Sequence, residues 1–309
     1  MSHFTVMIIG NNPERQLKPF DEGIEMPEYK TGVVSEKDLK TFKETYTIYK
    51  EGRSYGVKSN KEAKENSKLT ISELYEKFGN DWNSGCWKLE SDGSFGEYST
   101  YSPKSKWDWY SLGGRWKGFL KLKEGKTGVL GESGAGGNEA PKGNFADQAE
   151  LGDIDIKRMI KDARAEAKKH YQKVEKAMGG SIPKIKIKWA EICDDEGKYK
   201  DIEWSKRNDI YHSQPEIELF NKNCKELVGF FGSIDDYQLT KEEYIEDAGN
   251  GALSTFAVLK DGEWYEKGTM GWWGMVSDKK EQGNWNKEIV ELLKGLPSNT
   301  LISIYDCHI

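Results

Sequence analysis

Residues 107–116 read WDWYSLGGRW and place four large aromatic side chains, two adjacent glycines and one arginine in ten positions. If the first part of this stretch is an extended strand, Trp107 and Trp109 share one face and Tyr110 lies on the other. The strand would then be aromatic on both sides. Exposed aromatic faces of this kind can stack on the planar base of a nucleotide.

The two glycines that follow, Gly113 and Gly114, permit a tight turn or a close backbone approach that a side chain would block. Arg115 and Trp116 come directly after them. A guanidinium beside aromatic faces suits a phosphate with a stacked purine, because its fork of N–H groups binds the charge while a ring stacks on the base. Backbone amides at the glycines could donate further hydrogen bonds to the phosphate.

A second aromatic cluster, KGTMGWWGMVSD at residues 267–278, places Trp272 and Trp273 between Gly271 and Gly274. Tryptophan is a common core residue, and that structural interpretation accounts for most tryptophans in most proteins. A core tryptophan does not need glycine on both sides, however. Two glycine-flanked clusters in a hydrophilic chain therefore keep a ligand-binding interpretation open beside the structural one.

A third set of polar residues lies near the two ends of the chain. Asp306 and His308 project from the same face of an extended strand, and His3 would join them if the two terminal strands are neighbours. One carboxylate with two imidazoles could bind a divalent metal or act as a general base. The alternative is a buried polar pair that satisfies its own hydrogen bonds, and the absence of helical ligand spacing favours it.

Signatures of common enzymes fail when they are tested against the sequence. Gly125-Lys126-Thr127 resembles the end of a phosphate-binding P-loop, but the glycine required five positions earlier is Leu120. There is no HExxH, GxSxG or CxxC motif, and the four cysteines are far apart. We therefore favour a binding protein over an enzyme, and predict neither a cofactor nor a bound metal.

Composition limits the classes of partner. Hydrophobic residues make up 36% and charged residues 32% of the 309 positions, and no run approaches the length of a membrane span. The net charge of -6 disfavours binding to long nucleic acid, although a pocket for a small anion needs only a few local cations. The apolar stretch near the N-terminus has no basic leader, so we expect a first strand rather than a signal peptide, and a cytoplasmic protein.

Apolar, β-branched runs at residues 3–9 and 300–309 predict strands at both ends of the chain. Neighbouring terminal strands would enclose everything between them in one α+β domain over 1–309. We expect a mixed, mainly antiparallel sheet with helices on one side, of which a ferredoxin-like core is one version. Residues 30–95 are predicted to be a charged, helical insertion, and residues 124–144 a Gly-rich loop.

Local signals predict several element boundaries. A long helix should begin at a cap on Asp153 or Asp155, and it should end before Gly179-Gly180. Three further predictions are a capping box at Thr240, a hairpin turn at Asp261-Gly262 and a helix cap at Asn284.

Four blocks together resemble a widespread family of bacteriophage proteins: MSHFTV, KSKWDWYSLGGRWKGF, KGTMGWWGMVSD and LISIYDCHI. The resemblance runs from the first residue to the last, with residues 30–95 and 184–235 contributing little to it. It implies a phage anti-CBASS sponge, which binds cyclic di- or oligonucleotide immune signals such as 3′3′-cGAMP without cleaving them.

This resemblance implies immune evasion in the cytoplasm of an infected bacterium, by a homo-oligomer that holds a symmetric cyclic ligand between identical subunits. Two alternatives remain open. One is a metal- or His/Asp-dependent enzyme that degrades the nucleotide signal, and the other is a direct protein inhibitor of a host defence complex with tryptophan hot spots. The expected ligand-binding residues are Trp107, Trp109, Tyr110, Gly113, Gly114, Arg115, Trp116, Trp272 and Trp273.

Overall fold

A computed structural model describes most of the chain. The chain forms two compact units. One consists of Met1–Lys18 with Trp109–Ile309, and the other of Pro19–Asp108. The predicted insertion at 30–95 lies inside the second unit. The described residues are 3–53, 55–83, 85–134, 139–194, 196–229, 232–270, 276–277 and 282–309, with backbone alone at 269–270, 276–277 and 282–284.

Strands and helices alternate irregularly along the chain. The strands are β1 (His3–Ile9), β2 (Glu25–Val33), β3 (Trp87–Leu89), β4 (Phe95–Tyr101), β5 (Trp109–Leu112), β6 (Leu120–Lys121), β7 (Phe145–Ala146), β8 (Gln148–Glu150), β9 (Ala257–Lys260), β10 (Glu263–Glu266), β11 (Thr269–Met270), β12 (Val276–Ser277) and β13 (Leu301–His308). The α-helices are α1 (Pro13–Leu17), α2 (Glu36–Thr47), α3 (Asn60–Asn66), α4 (Ile71–Asn83), α5 (Ile156–Ala177), α6 (Trp189–Cys193), α7 (Trp204–His212), α8 (Pro215–Val228), α9 (Lys241–Asn250) and α10 (Gln282–Lys294).

The main sheet of the first unit has the order β10-β9-β1-β13-β5, and β8 pairs with β13 beyond the end of β5. β1 runs antiparallel to β13 and parallel to β9, while the other pairs are antiparallel. The α+β class and the mixed, mainly antiparallel sheet are therefore confirmed. The order is not ferredoxin-like, because such a core separates its two parallel strands by a third one, whereas β1 and β9 are direct neighbours.

One face of this sheet forms the main hydrophobic core of the first unit. Met7, Ile9, Ile302 and Ile304 alternate along β1 and β13 and are almost completely buried, as residues two apart on a strand share a face. They pack in one cluster with Trp285, Ile289 and Leu293 of α10, and Met159 of α5 lies against that cluster. The two helices thus cover the face from which the terminal strands present their apolar side chains.

Most of the local predictions are confirmed. Asp155 caps α5 by accepting a hydrogen bond from the Arg158 backbone at 3.0 Å. Thr240 and Glu243 form the predicted capping box of α9. The β9–β10 hairpin turns at Asp261 and Gly262, whose φ angles of +54° and +80° are those of a type I′ turn. The cap predicted at Asn284 is wrong, since α10 begins two residues earlier, at Gln282.

The second unit packs its three helices, α2 to α4, with a three-stranded sheet of order β2-β4-β3. The prediction of a helical insertion at 30–95 is therefore incomplete, because these strands occupy part of that segment. The unit has an aromatic core of its own, in which Phe42 contacts the rings of Tyr46, Tyr75, Trp82 and Trp87. Aromatic side chains that look scattered along a charged segment thus form one cluster.

Candidate functional site

The site of interest is built around a fully buried carboxylate, Asp306, in the middle of β13. The ladder places it opposite Thr5 of β1 on one side and Ser111 of β5 on the other. Its Oδ1 lies 2.8 Å from Nδ1 of His3, and its Oδ2 accepts a hydrogen bond from the Arg115 backbone at 2.9 Å. Asp306 therefore joins β1, β13 and the turn that follows β5.

The structure brings the predicted polar set at the chain ends together. The rings of His3 and His308 meet edge to face at 4.9 Å, and the ring of Trp109 lies 6.1 Å from His3. His3, Asp306, His308 and Trp109 thus share one end of one sheet face, as the register of β1, β13 and β5 requires. Within the described part of the chain, no group of three His, Cys, Asp or Glu side chains could hold a metal ion.

The space beside each of the two adjacent glycines is occupied by a buried carboxylate of the same chain. Gly113 and Gly114 have φ angles of +75° and +53°, in the region that favours glycine. A Cβ on Gly114 would lie 2.3 Å from the Cβ of Asp306, and one on Gly113 would lie 2.5 Å from Oδ2 of Asp147. The expectation that the glycines make room for a ligand is therefore corrected: this space is filled from within.

Asp147 is a second buried carboxylate, and its oxygens accept three backbone N–H groups. Gly118 donates at 2.7 Å, Phe119 at 3.1 Å and Gly131 at 2.9 Å. Burial raises the pKa of the Asp147 carboxyl above its ordinary value, and the three hydrogen bonds oppose that rise. Asp147 thereby fixes both the turn after the glycines and one end of the Gly-rich loop.

The described residues of the Gly-rich loop, 124–134 and 139–144, make close contacts with the turn. Gly114 donates its N–H to the Glu132 carbonyl at 3.0 Å. A Cβ on Gly131 would lie 2.0 Å from the Leu112 carbonyl oxygen, so only glycine fits there. The loop and the glycine turn therefore support each other.

The aromatic residues of the opening motif do not form one surface. The prediction that Trp107 shares a face with Trp109 is wrong, because β5 begins at Trp109 and Trp107 is a buried residue of the second unit. Tyr110 lies on the opposite face of β5 from Trp109, with its ring 5.5 Å from that of Tyr305. Trp116 is half-buried in a 3₁₀ turn, Gly114–Trp116. Trp272 and Trp273 lie outside the described residues.

Two groups at the site face solvent. Trp109 is 46% exposed, although it lies in a strand of the main sheet. Arg115 is exposed, and its guanidinium makes no ion pair with any residue that the structure describes. Since its backbone is tied to Asp306, the position from which this side chain extends is fixed.

Sequence reasoning missed two residues of the site. Asp147 stands alone in the segment FADQA, and no spacing to another polar residue in that segment indicates a buried carboxylate. Ser111 faces the same side of the sheet as Asp306, and its buried hydroxyl has no hydrogen-bond partner among the described residues. The alternation of Trp109 and Ser111 along one strand could have pointed to it.

Comparisons with known protein families, curated proteins and solved structures found no match. A search of the described helices for a membrane span found none of sufficient length and apolar character.

The pKa of Asp147 predicts a specific pH dependence. A raised pKa in the folded state means that the folded chain binds more protons than the unfolded one between the two pKa values. The stabilisation from protonated Asp147 is therefore fully present below the pKa of an ordinary aspartate. It is lost as the pH rises through the raised pKa of the folded state. Urea unfolding over a pH series should show the wild type losing stability relative to Asp147→Asn across that window.

An opposite-sign control is available for this measurement. Lys121 and Arg158 lower the pKa of Asp162, so stability from this group is present at higher pH and is lost as the pH falls. The free energy of unfolding of the wild type should therefore fall relative to that of Asp162→Asn as the pH is lowered, which is the opposite direction. A pH-independent difference for Asp147→Asn would contradict the burial argument.

Proposed function

We propose that this protein is a bacteriophage immune-evasion factor that binds and sequesters cyclic di- or oligonucleotide signals of bacterial defence, such as 3′3′-cGAMP, without cleaving them. The observation that carries this proposal is that two exposed residues, Trp109 and Arg115, lie near the buried Asp306: the ring of Trp109 is 6.1 Å from that of His3, which contacts Asp306, and Arg115 donates its backbone N–H to Asp306. The resemblance to bacteriophage proteins supports the biological setting.

Trp109 supplies a surface on which a base can stack. The centroid of its ring lies 6.1 Å from that of His3, which Asp306 holds through a hydrogen bond. Stacking of a base on an exposed aromatic ring contributes roughly 1–3 kcal/mol and tolerates any base. A ring already held in place loses little conformational freedom on binding, which favours the tight binding that sequestration requires.

Arg115 supplies the phosphate contact. A guanidinium can donate two parallel hydrogen bonds to phosphate oxygens, and Lys117 follows two residues later as a further cation. In a chain of net charge -6, such local cations attract a small anion while the molecule as a whole repels long nucleic acid. A symmetric cyclic ligand favours a homo-oligomer, and a phage origin would place the complex in the cytoplasm of the infected bacterium.

Calorimetry with a panel of cyclic dinucleotides tests the proposal. Arg115→Ala should weaken binding by roughly 1.5–3 kcal/mol, because it removes a hydrogen-bonded ion contact. Lys168→Ala, which removes an exposed cation of α5, is the matched control and should leave the affinity unchanged. Absence of heat with every member of the panel, or equal affinity of wild type and Arg115→Ala, would overturn the proposal.

A second candidate function is cleavage of the same kind of ligand. The contact between His3 and Asp306 at 2.8 Å is the arrangement in which a carboxylate orients an imidazole as a general base. Incubation of a cyclic dinucleotide with the protein, followed by denaturation and mass analysis, separates the two functions. Intact ligand supports sequestration, whereas a linear or monomeric product that disappears in His3→Gln supports the enzyme.

A further inference from the structure

A cavity of the first unit lies among α6, α7 and α8, on elements that do not contribute to the Trp109 site. The cavity has a volume of about 460 Å³, within the range of about 300–1,000 Å³ that is common for small-molecule sites. Its floor is apolar, since Ile217 and Ile234 are almost completely buried. Its aromatic wall is made by Trp189 and Tyr211.

A half-buried carboxylate, that of Asp235, holds these two aromatic residues in place. The Trp189 backbone donates a hydrogen bond to Oδ1 of Asp235 at 2.9 Å, and the Tyr211 hydroxyl donates to Oδ2 of the same carboxylate. The two rings meet edge to face with their centroids 4.9 Å apart. Because burial and Asp235 raise the pKa of Tyr211, its hydroxyl remains a donor and the wall keeps its geometry.

The rim of the cavity is cationic and polar. Lys225 and Asn221 reach it from neighbouring turns of α8, and His212 reaches it from the end of α7. The chain has 52 acidic and 46 basic residues, yet none of the described lining residues carries a carboxylate. The Lys225 ammonium makes no ion pair with a residue in the described ranges. The Asp235 carboxylate is occupied by its hydrogen bonds to Trp189 and Tyr211, whereas the Lys225 ammonium is available to an anionic ligand.

We propose that this cavity binds a small planar aromatic molecule with one anionic group, its ring against Trp189 and its charge at Lys225. An apolar floor and an aromatic wall suit the ring, and the ammonium with the amide of Asn221 suits a phosphate or a carboxylate. Nucleoside monophosphates and aromatic carboxylic acids share this chemistry. The site is independent of the nucleotide-sequestering function proposed above.

Calorimetry on the full chain tests this proposal with two anionic probes, 5′-AMP and indole-3-acetate, and with their uncharged counterparts, adenosine and indole-3-acetamide. At least one anion should bind at least about tenfold more tightly than its counterpart, as expected for a charge-assisted hydrogen bond. Lys225→Met should remove this difference. Lys222→Met, an equal change of charge on the same helix outside the cavity lining, should preserve it.

The two probes also identify the kind of anion. Binding of 5′-AMP alone assigns a phosphate ligand, and binding of indole-3-acetate alone assigns a carboxylate. Trp189→Phe keeps an aromatic wall and should retain binding, whereas Trp189→Leu should weaken it. The proposal is overturned if neither anion binds at millimolar concentration, if the uncharged probes bind equally well, or if Lys222→Met causes the same loss as Lys225→Met.

Discussion

Gly114→Ala should lower the free energy of unfolding by about 3 kcal/mol or more, since it combines a left-handed backbone with steric overlap in a packed interior. The residue has a φ of +53°, and an added Cβ would lie 2.3 Å from the Cβ and 2.4 Å from Oδ2 of Asp306. Asp306 cannot yield easily, because it is hydrogen-bonded to His3 and to the Arg115 backbone. Chemical unfolding monitored by circular dichroism measures the loss.

Gly125→Ala is the matched control for this substitution. Gly125 also has a positive φ, +71°, but a Cβ there would meet no atom within 4 Å. The Gly125→Ala variant should therefore lose only the backbone contribution to the free energy of unfolding, about 1–2 kcal/mol. Equal losses for the two variants would contradict the conclusion that Asp306 occupies the space beside Gly114.

Asp147→Ala should be at least as destabilising, with a loss of about 3–5 kcal/mol, because it leaves several buried N–H groups without an acceptor. The wild-type carboxylate accepts from Gly118, Phe119 and Gly131 and is completely buried. Thermal and urea unfolding measure the change. The loss should include local opening of the Gly-rich loop, which faster amide exchange at Gly131 would report.

Two further variants calibrate this result. Asp201→Ala removes an exposed aspartate and should change stability by less than about 0.5 kcal/mol. Asp147→Asn keeps one oxygen acceptor and should fall between wild type and Asp147→Ala. A loss below about 1 kcal/mol for Asp147→Ala would show that the three hydrogen bonds do not hold the turn.

Features encoded by neighbouring residues could be predicted from the sequence. The Asp261-Gly262 turn, the Thr240 capping box and the Asp155 cap each depend on side chains within a few positions of one another. The terminal strands were also predictable, and their pairing places His3 beside Asp306 as the alternation of side chains suggested.

The interior of the site could not be predicted, because it depends on contacts between distant parts of the chain. Arg115 and Asp306 are separated by 191 positions, and no local pattern shows that the acid lies against Gly114. The same limit explains why Trp107 and Trp109 were wrongly predicted to share one face. They are two positions apart and look equivalent in sequence, yet the boundary between the two compact units falls between them.

Photoaffinity labelling tests most directly whether the segment that contains Trp109 and Arg115 binds a cyclic nucleotide. An azido-purine analogue of a cyclic dinucleotide would be cross-linked to the full protein, and the modified peptide identified by mass spectrometry. We predict saturable labelling, removed by excess unmodified ligand, in the peptide that contains residues 109–116. Saturable labelling confined to other peptides, or no saturable labelling with any cyclic dinucleotide, would contradict the proposed binding.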